Sequence, residues 1–300
     1  MTPHSLPRDR PVGSEEPERD ARSGGAETPG TTAGGTIRRS HHSWREPHPA
    51  VALAACVVLG AALWDAARSA GILSTTQTAS VEAMVGTAAS GLADGSLLGP
   101  LGETVLTFLC GLAVSVLIGL PVGLAMGRFR LVDEAFGVTV DVLRPIPAVA
   151  LVPVAVVVLG LGLRMQISLI AFAAVWPIVF NARYGARNVD SVMIDAARLA
   201  GLSGWAMMRR VVLPASLPSV MTGVRLATAV AVVLTVVTEI VASGTGLGNY
   251  VTASQQVGDV DDAFAGVLLA ALLGTGANSL VRLLENRVIG WHHAQQVAAR

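Results

Sequence analysis

The chain has no lysine, few aromatic residues and few charges for its length. All 21 basic residues are arginine, aromatic residues make up 4% of the chain, and charged residues make up 14%. Hydrophobic residues make up 52% of the 300 positions, so the polar residues are too few to cover the surface of a soluble domain of this size. The composition therefore predicts a membrane protein.

The side chains that catalysis and metal binding require are scarce. The six histidines all lie in the terminal segments, at His4, His41, His42, His48, His292 and His293. The sequence contains no HExxH, GxSxG or Walker A motif. Cys56 and Cys110 lie in apolar runs, where we expect two small hydrophobic residues instead of a disulfide or a metal pair. We therefore expect no enzyme, no metal and no directly bound cofactor.

Six apolar segments approach the roughly 20 residues that a helix needs to cross a bilayer. They cover residues 50–66, 102–126, 146–162, 167–186, 219–242 and 263–284. The sequence thus predicts an all-α polytopic membrane protein with about six transmembrane helices.

The segments outside the main bundle have different compositions. Residues 1–48 are rich in Gly, Pro, Ser, Thr, Arg and Glu, and we predict a disordered tail there. Residues 49–96 hold the first span and an external segment, in which 81–92 has the pattern of an interfacial helix capped by Thr78 or Ser80. Residues 97–287 are predicted to form the main transmembrane domain, and residues 288–300 a cytoplasmic C-terminal tail.

The distribution of arginine predicts the orientation. One set of predicted loops and tails carries most arginines, at Arg38, Arg39, Arg45, Arg128, Arg130, Arg144, Arg183, Arg187, Arg198, Arg209, Arg210, Arg287 and Arg300. The opposite side has only Arg68 and Arg164, and its last loop is acidic at 259–262. By the positive-inside rule, both termini and the long loop at 190–218 are predicted to be cytoplasmic.

Small residues recur along the second predicted span. They occupy every fourth position, at Gly111, Ser115, Gly119, Gly123 and Gly127. Such a stripe lets two helices approach closely, which is what drives their association in lipid. It predicts a tightly packed contact, either inside the bundle or at a subunit seam.

Prolines are expected to distort three spans. Pro121 should kink the second span, the pair Pro145 and Pro147 precedes the third, and Trp176-Pro177 should interrupt the fourth. Broken helices at membrane depth are tolerated where they face protein or a water-filled cavity. This pattern favours a conduit over a passive anchor.

The loop at 190–218 is long and has helical patterns. Asp190 or Ser191 can cap a helix that ends near Gly201, and Ser203 can cap a second helix that Pro214 ends. Trp205 and Met208 are typical anchors of a protein-docking surface. The same apolar residues could instead pack back on the ends of the spans, and the pattern alone leaves both alternatives open.

The loop resembles a known family motif. Asp195-Ala196-Ala197, Gly201 four residues on, and Val211-Val212-Leu213-Pro214 are similar to the EAA loop of bacterial ABC importer permeases, with Asp195 in place of Glu and Val211 in place of Ile. Arg144-Pro145-Ile146-Pro147, Trp176-Pro177-Ile178 and Gly246-Leu247-Gly248 resemble the nitrate/sulfonate/taurine-type branch of that family. The resemblance covers roughly residues 97–287.

This resemblance implies a type I ABC importer transmembrane fold in a bacterial cell membrane. The permease would pair with a second copy of itself, and a cytoplasmic ATPase, which alone uses ATP, would bind the EAA loop. An extracytoplasmic binding protein would deliver a small solute such as a sulfonate, taurine or nitrate. Membrane lipid is the remaining partner, and no nucleic acid is expected.

Three polar residues could line the translocation path. Glu239 lies near the outer end of the fifth span, where it could face the path, form a structural pair or reach the interface. Arg225 could contact an anion or extend to the cytoplasmic surface, and Asn181 could line the path. A stand-alone secondary transporter or a non-transport scaffold is the alternative, although secondary transporters usually have coupling charges in several spans.

Overall fold

The computed structural model of the chain describes residues 49–298 except Thr75 and Ser243. The predicted disordered tail at 1–48 lies outside the described residues. Every regular element within the described residues is a helix, which confirms the all-α class. The helices are α1 (Pro49–Ser69), α2 (Val81–Ala93), α3 (Leu98–Arg128), α4 (Arg130–Leu143), α5 (Val152–Leu159), α6 (Leu163–Arg187), α7 (Ser191–Leu199), α8 (Gly204–Met207), α9 (Leu213–Ala242), α10 (Gly246–Val257) and α11 (Val260–Ala298).

Within the described residues, four helices are long and apolar enough to cross a bilayer. They are α3, α6, α11 and the continuous helix Gly204–Val241, which joins α8 to α9. Helix α1 has 21 residues and covers the first predicted span, but it is not one of these four. Ser80 caps α2 as predicted, because its side chain accepts a hydrogen bond from Ala83 N at 3.1 Å.

The third predicted span is wrong as a single helix. Residues 146–162 form a 3₁₀ turn, Ala148–Leu151, followed by α5 with only eight residues. Helix α4 and this segment together form one bent pair with an 80° bend, which gives up to five spans by length and composition. Pro145 and Pro147 lie at the bend, where the missing N–H groups and the restricted preceding residues prevent a continuous helix.

Helices α3 and α6 run parallel. Gly111 of α3 packs against Ile170 of α6, and Gly119 packs against Ile178 farther along the same direction. The chain must therefore return from one end of the bundle to the other between them, and the bent pair provides that return. We call the end that contains residues 187–213 the loop end.

The stripe of small residues lies along this α3–α6 contact. A Cβ at Gly123 would lie 2.5 Å from Val179 O, and one at Gly127 would lie 2.5 Å from Arg183 O. Ser115 is fully buried and its hydroxyl lies 3.4 Å from Ala171 O. The stripe thus brings two backbones together inside this chain, so its contact does not depend on a second subunit.

Helix α9 packs antiparallel to α6 and completes the centre of the bundle. A Cβ at Gly223 would lie 2.7 Å from Asn181 Cβ and 2.8 Å from Pro177 O. Helix α11 packs on α9, and α2 and α10 cover α11 at the end opposite the loop end. The central core includes Phe108, Ile170, Ile178, Ala227 and Leu234.

The prolines inside α3 and α6 do not break these helices. Pro121 lies within the 31 residues of α3, and Pro177 lies within the 25 residues of α6. The predicted interruption at Trp176-Pro177 is therefore wrong. Each proline removes one N–H donor from a long helix, and neighbouring helices can accommodate that loss.

Candidate functional site

The first helix of the loop has the predicted local signals. Asp190 Oδ1 accepts a hydrogen bond from Val192 N at 2.8 Å and caps α7. Gly201 has φ +81°, and Leu202 N donates to Ala197 O at 3.0 Å. A left-handed residue that ends a helix favours glycine, because a Cβ would be strained there. Gly201 therefore makes the sharp turn between α7 and α8.

The second helix of the loop does not end at Pro214, so that prediction is wrong. A π-helical turn, Met208–Val212, joins α8 directly to α9, and Leu213 N donates to Met208 O. Pro214 is the second residue of α9, next to this turn, where the loss of one N–H is tolerated. The second helix of the loop and the following span thus form one continuous helix from Gly204 to Val241.

The loop divides its apolar residues between two roles. Met207 and Met208 are 2% and 8% exposed, and they pack with Val212, Leu124 and Ala182 at the loop end. Met208 was predicted as a docking anchor and instead belongs to the core. Leu213 and Pro214 are half-buried, and Ala197 is buried. These residues hold the loop rigidly against α3 and α6.

Three further apolar residues of the loop are exposed to solvent. Leu199 is 91% exposed and Trp205 is 77% exposed, on the two sides of the Gly201 turn. Met193 on α7 is half exposed. We call Met193, Leu199 and Trp205 the elbow surface. Packing back on the spans therefore applies to Met207 and Met208, whereas docking through the exposed residues stays a prediction.

Charged residues border the elbow surface. Arg198, Arg209, Arg210 and Asp195 are exposed, and so is Ala196. Arg198 Nη1 lies 2.9 Å from Asp195 Oδ1, and both side chains are more than half exposed. Such a solvent-exposed pair contributes little to stability.

A carboxylate fixes the loop end of α6 to α4. Arg183 Nε lies 2.6 Å from Asp133 Oδ1, and Arg187 Nη1 lies 3.3 Å from Asp133 Oδ2. The Arg183 and Asp133 side chains are largely buried, at 20% and 16% exposure. Two cations that share one carboxylate in this setting hold α4 and α6 together just before the loop begins.

Glu239 belongs to a polar contact at the opposite end of the bundle. It is 1% exposed, and its Oε2 accepts hydrogen bonds from Thr104 Oγ1 at 3.1 Å and from Gly248 N at 2.9 Å. Thr104 Oγ1 also accepts a bond from Leu247 N at 2.8 Å. The role of Glu239 in the path stays a prediction, whereas these bonds match the structural alternative.

The same contact supplies a complete cap for α10. Glu103 Oε2 accepts from Gly246 N at 2.9 Å, so the first three N–H groups of α10 are satisfied by side chains of α3 and α9. Gly246 has φ +90°, and a Cβ there would overlap the Glu239 carboxylate. Glu103, Thr104 and α10 were not predicted from the sequence, because only the fold brings these partners to the helix.

Arg225 and Asn181 have partners inside the chain. Arg225 pairs with Glu285 of α11, and both side chains are mostly buried, at 35% and 20% exposure. Neither predicted fate of Arg225 included this carboxylate, because Glu285 lies just beyond the predicted sixth span. Asn181 Nδ2 donates to Pro177 O at 2.8 Å on its own helix.

Comparison with known proteins agrees with this architecture. Residues 115–290 match the family described as "Binding-protein-dependent transport system inner membrane component". The chain belongs to this family. It is a permease component of an ABC importer and a multi-pass membrane protein.

Two relatives are similar to this chain in sequence. The chain is 27% identical over 235 residues to the putative aliphatic sulfonates transport permease protein SsuC of Bacillus subtilis, and the aligned region covers 78% of this chain and 85% of that protein. It is 31% identical over 202 residues to the taurine transport system permease protein TauC of Escherichia coli, covering 67% and 74%.

The fold is similar to a chain of the MetNI methionine ABC transporter in an inward-facing conformation. The TM-score is 0.55 at 20% sequence identity, over 64% of this chain and 95% of that chain. At this identity the similarity concerns the fold alone, and that fold is the type I ABC importer transmembrane fold. The expected fold class is thereby confirmed.

Proposed function

We propose that this permease forms the translocation path for a small organic anion and that its elbow surface receives the motion of a separate cytoplasmic ATPase. The ATPase hydrolyses ATP, and the permease contributes no catalytic group. A second copy of the chain completes the path, and an extracytoplasmic binding protein delivers the solute.

The elbow surface is the observation that carries the coupling role. Leu199 and Trp205 are large, apolar and 91% and 77% exposed, whereas the neighbouring Met207 is buried at 2%. Exposed aromatic and aliphatic anchors with a charged rim are typical of the centres of protein interfaces. The rigid packing of the other loop residues means that force applied here reaches the bundle.

The continuous helix from the loop into α9 supports the coupling role. The helix from Gly204 to Val241 carries Trp205 at the loop end and reaches the opposite end of the bundle without a break. A displacement at Trp205 would therefore move α9 along most of its length. The arginine distribution supports the orientation with both termini and the loop in the cytoplasm, where an ATPase can bind.

The solute class is supported by the relatives. SsuC and TauC are named for aliphatic sulfonates and taurine, which are small sulfonates with a compact apolar or amino-alkyl body. We extend this class to the present chain, with a sulfonate as the expected solute.

A glycine substitution tests the coupling role. Gly201→Trp should abolish sulfonate uptake by vesicles that hold the permease, its ATPase and its binding protein, because no Cβ tolerates φ +81° without strain. The permease should still reach the membrane, since nothing lies within 4 Å of a Cβ at this position. Retention of the ATPase on the purified permease is measured in parallel.

Gly258→Trp is the matched control. Gly258 has φ +80° and equally open surroundings, but it ends α10 at the opposite end of the bundle. It should impose a similar local strain and leave ATPase retention unchanged. Normal uptake and normal ATPase retention in Gly201→Trp would contradict the proposed coupling role.

A further inference from the structure

An arginine lies at the bend of the bent pair. The Arg144 guanidinium lies over the Phe180 ring, with Cζ 4.3 Å from the ring centroid. Phe180 is about two turns from the loop end of α6, so this cation lies within the depth of the spans. Arg144 was predicted in a cytoplasmic loop, and its side of the membrane stays a prediction. In the structure it lies at the bend between α4 and the 3₁₀ turn.

Arg144 differs from its neighbours in having no anionic partner. Arg183 and Arg187 face Asp133, and Arg225 faces Glu285, whereas no described carboxylate pairs with Arg144. Arg144 is an exposed residue, so the described part of the chain does not enclose its charge. An unpaired charge at the level of the spans usually belongs to a solute pathway, and stacking on Phe180 leaves this one available to an anion.

Arg144 borders a cavity that has otherwise apolar walls. The cavity has a volume of about 430 Å³, and its lining includes Arg144, Trp176, Ala229, Val230, Val233 and Leu234. Val233 is 63% exposed, so the α9 wall is not covered by other described parts of this chain. This volume is within the range of pockets that hold small molecules.

The walls of the cavity carry one charge and are otherwise alkyl and aromatic. Trp176 contributes ring surface, because its Nε1 is buried and out of reach from the cavity. One cation and several alkyl walls match a compact anion with a short apolar body.

We infer that this cavity is a solute subsite at membrane depth and that Arg144 is its anion-binding residue. The inference rests on the proposed function for the nature of the cargo. Arg144 would contact the sulfonate or equivalent anionic group, while Val230 and Val233 would contact the apolar body. The side chain would then select anions over neutral or cationic solutes of the same size.

Charge-selective thiol labelling tests the electrostatics directly. The probe is a Val233→Cys permease, with Cys56 and Cys110 replaced by serine, assembled with its ATPase. Anionic sulfonatoethyl and cationic trimethylammonioethyl methanethiosulfonates are compared by their rates of reaction. We expect the anionic reagent to react at least about tenfold faster relative to its rate with a free thiol, and Arg144→Gln should remove that preference.

A second cysteine position provides the control. Val257 is 81% exposed at the opposite end of the bundle, near Asp259 and Asp261. The rate ratio at Val257→Cys should not respond to Arg144→Gln. An equal ratio at Val233→Cys with and without Arg144 overturns the inference. So does protection of Val233→Cys from both reagents in the assembled transporter, because a second copy would then fill the cavity.

Uptake measurements separate the subsite from the proposed function. In vesicles with the complete transporter, Arg144→Gln should lower sulfonate uptake at least about tenfold, and Arg144→Lys should retain part of it because the charge remains. ATPase retention should be unchanged in both. Normal uptake by Arg144→Gln overturns the subsite alone. Absence of sulfonate uptake in the unmodified transporter overturns the proposed solute and leaves the labelling result valid.

Discussion

The Thr104 hydroxyl lies 3.1 Å from Glu239 Oε2 and thereby joins the start of α3 to the end of α9, across 135 residues of sequence. Both residues also accept N–H groups from the first turn of α10. Three helices therefore meet at one buried carboxylate, on the side of the bundle opposite the elbow surface.

Removing this carboxylate should destabilise the permease. Glu239→Ala leaves the Gly248 N–H without an acceptor in a buried site, at a cost of about 1–3 kcal/mol, whereas the Thr104 hydroxyl keeps Pro100 O as an acceptor. Glu239→Gln keeps one acceptor oxygen and should cost less. Thermal unfolding of the purified permease in detergent measures both changes.

Glu134 is the control for this prediction. Its carboxylate is 57% exposed and pairs only with Arg130 on the same helix, so Glu134→Ala should change the unfolding temperature little. An equal loss of stability in the Glu134 and Glu239 variants would indicate a general effect of charge removal.

The close approach of α3 and α6 should not tolerate a side chain. A Cβ at Gly123 would lie 2.5 Å from Val179 O and 2.7 Å from Ala182 Cβ, so Gly123→Ala forces the two helices apart. We expect a loss of about 1–3 kcal/mol, measured by thermal unfolding. Gly102 is on the same helix with open space around its Cβ direction, and Gly102→Ala should be neutral or stabilising. Equal effects at both positions would contradict the packing role of the stripe.

The elbow surface and the loop core should respond in opposite ways. Trp205→Ala should weaken retention of the ATPase by about tenfold or more, because an exposed aromatic anchor is lost, while the stability of the permease alone stays unchanged. Met208→Ala should instead lower the stability of the permease by about 2–5 kcal/mol, because it opens a cavity in the loop core. Pull-down of the ATPase and unfolding of the isolated permease distinguish the two effects.

The Arg225–Glu285 pair should show coupled effects. Either single alanine variant leaves one charge mostly buried without its partner and should cost roughly 1–3 kcal/mol, less than for a fully buried pair. The double variant Arg225→Ala/Glu285→Ala should cost less than the sum of the two single variants. A double-mutant cycle on unfolding free energies measures the coupling, and strictly additive losses would show that the two side chains do not interact.

Local signals predicted the loop only in part. Asp190 and Gly201 act through hydrogen bonds and backbone angles within their own turns, so their roles could be inferred from neighbouring residues. The prediction that Pro214 ends the second helix was wrong. A proline can end a helix or lie at the start of one, and the π-helical turn before Pro214 places it at the start of α9.

Sequence patterns by themselves determined the membrane class, most span positions, the family and the close-packed stripe. These features depend on composition and on spacings that a single helix repeats. Only the tertiary structure decided that Trp205 is exposed while Met208 is buried, and that Glu239, Arg225 and Arg144 have three different environments. The physical reason is that burial, pairing and access to a cavity depend on side chains from helices far apart in sequence, whose positions no local pattern specifies.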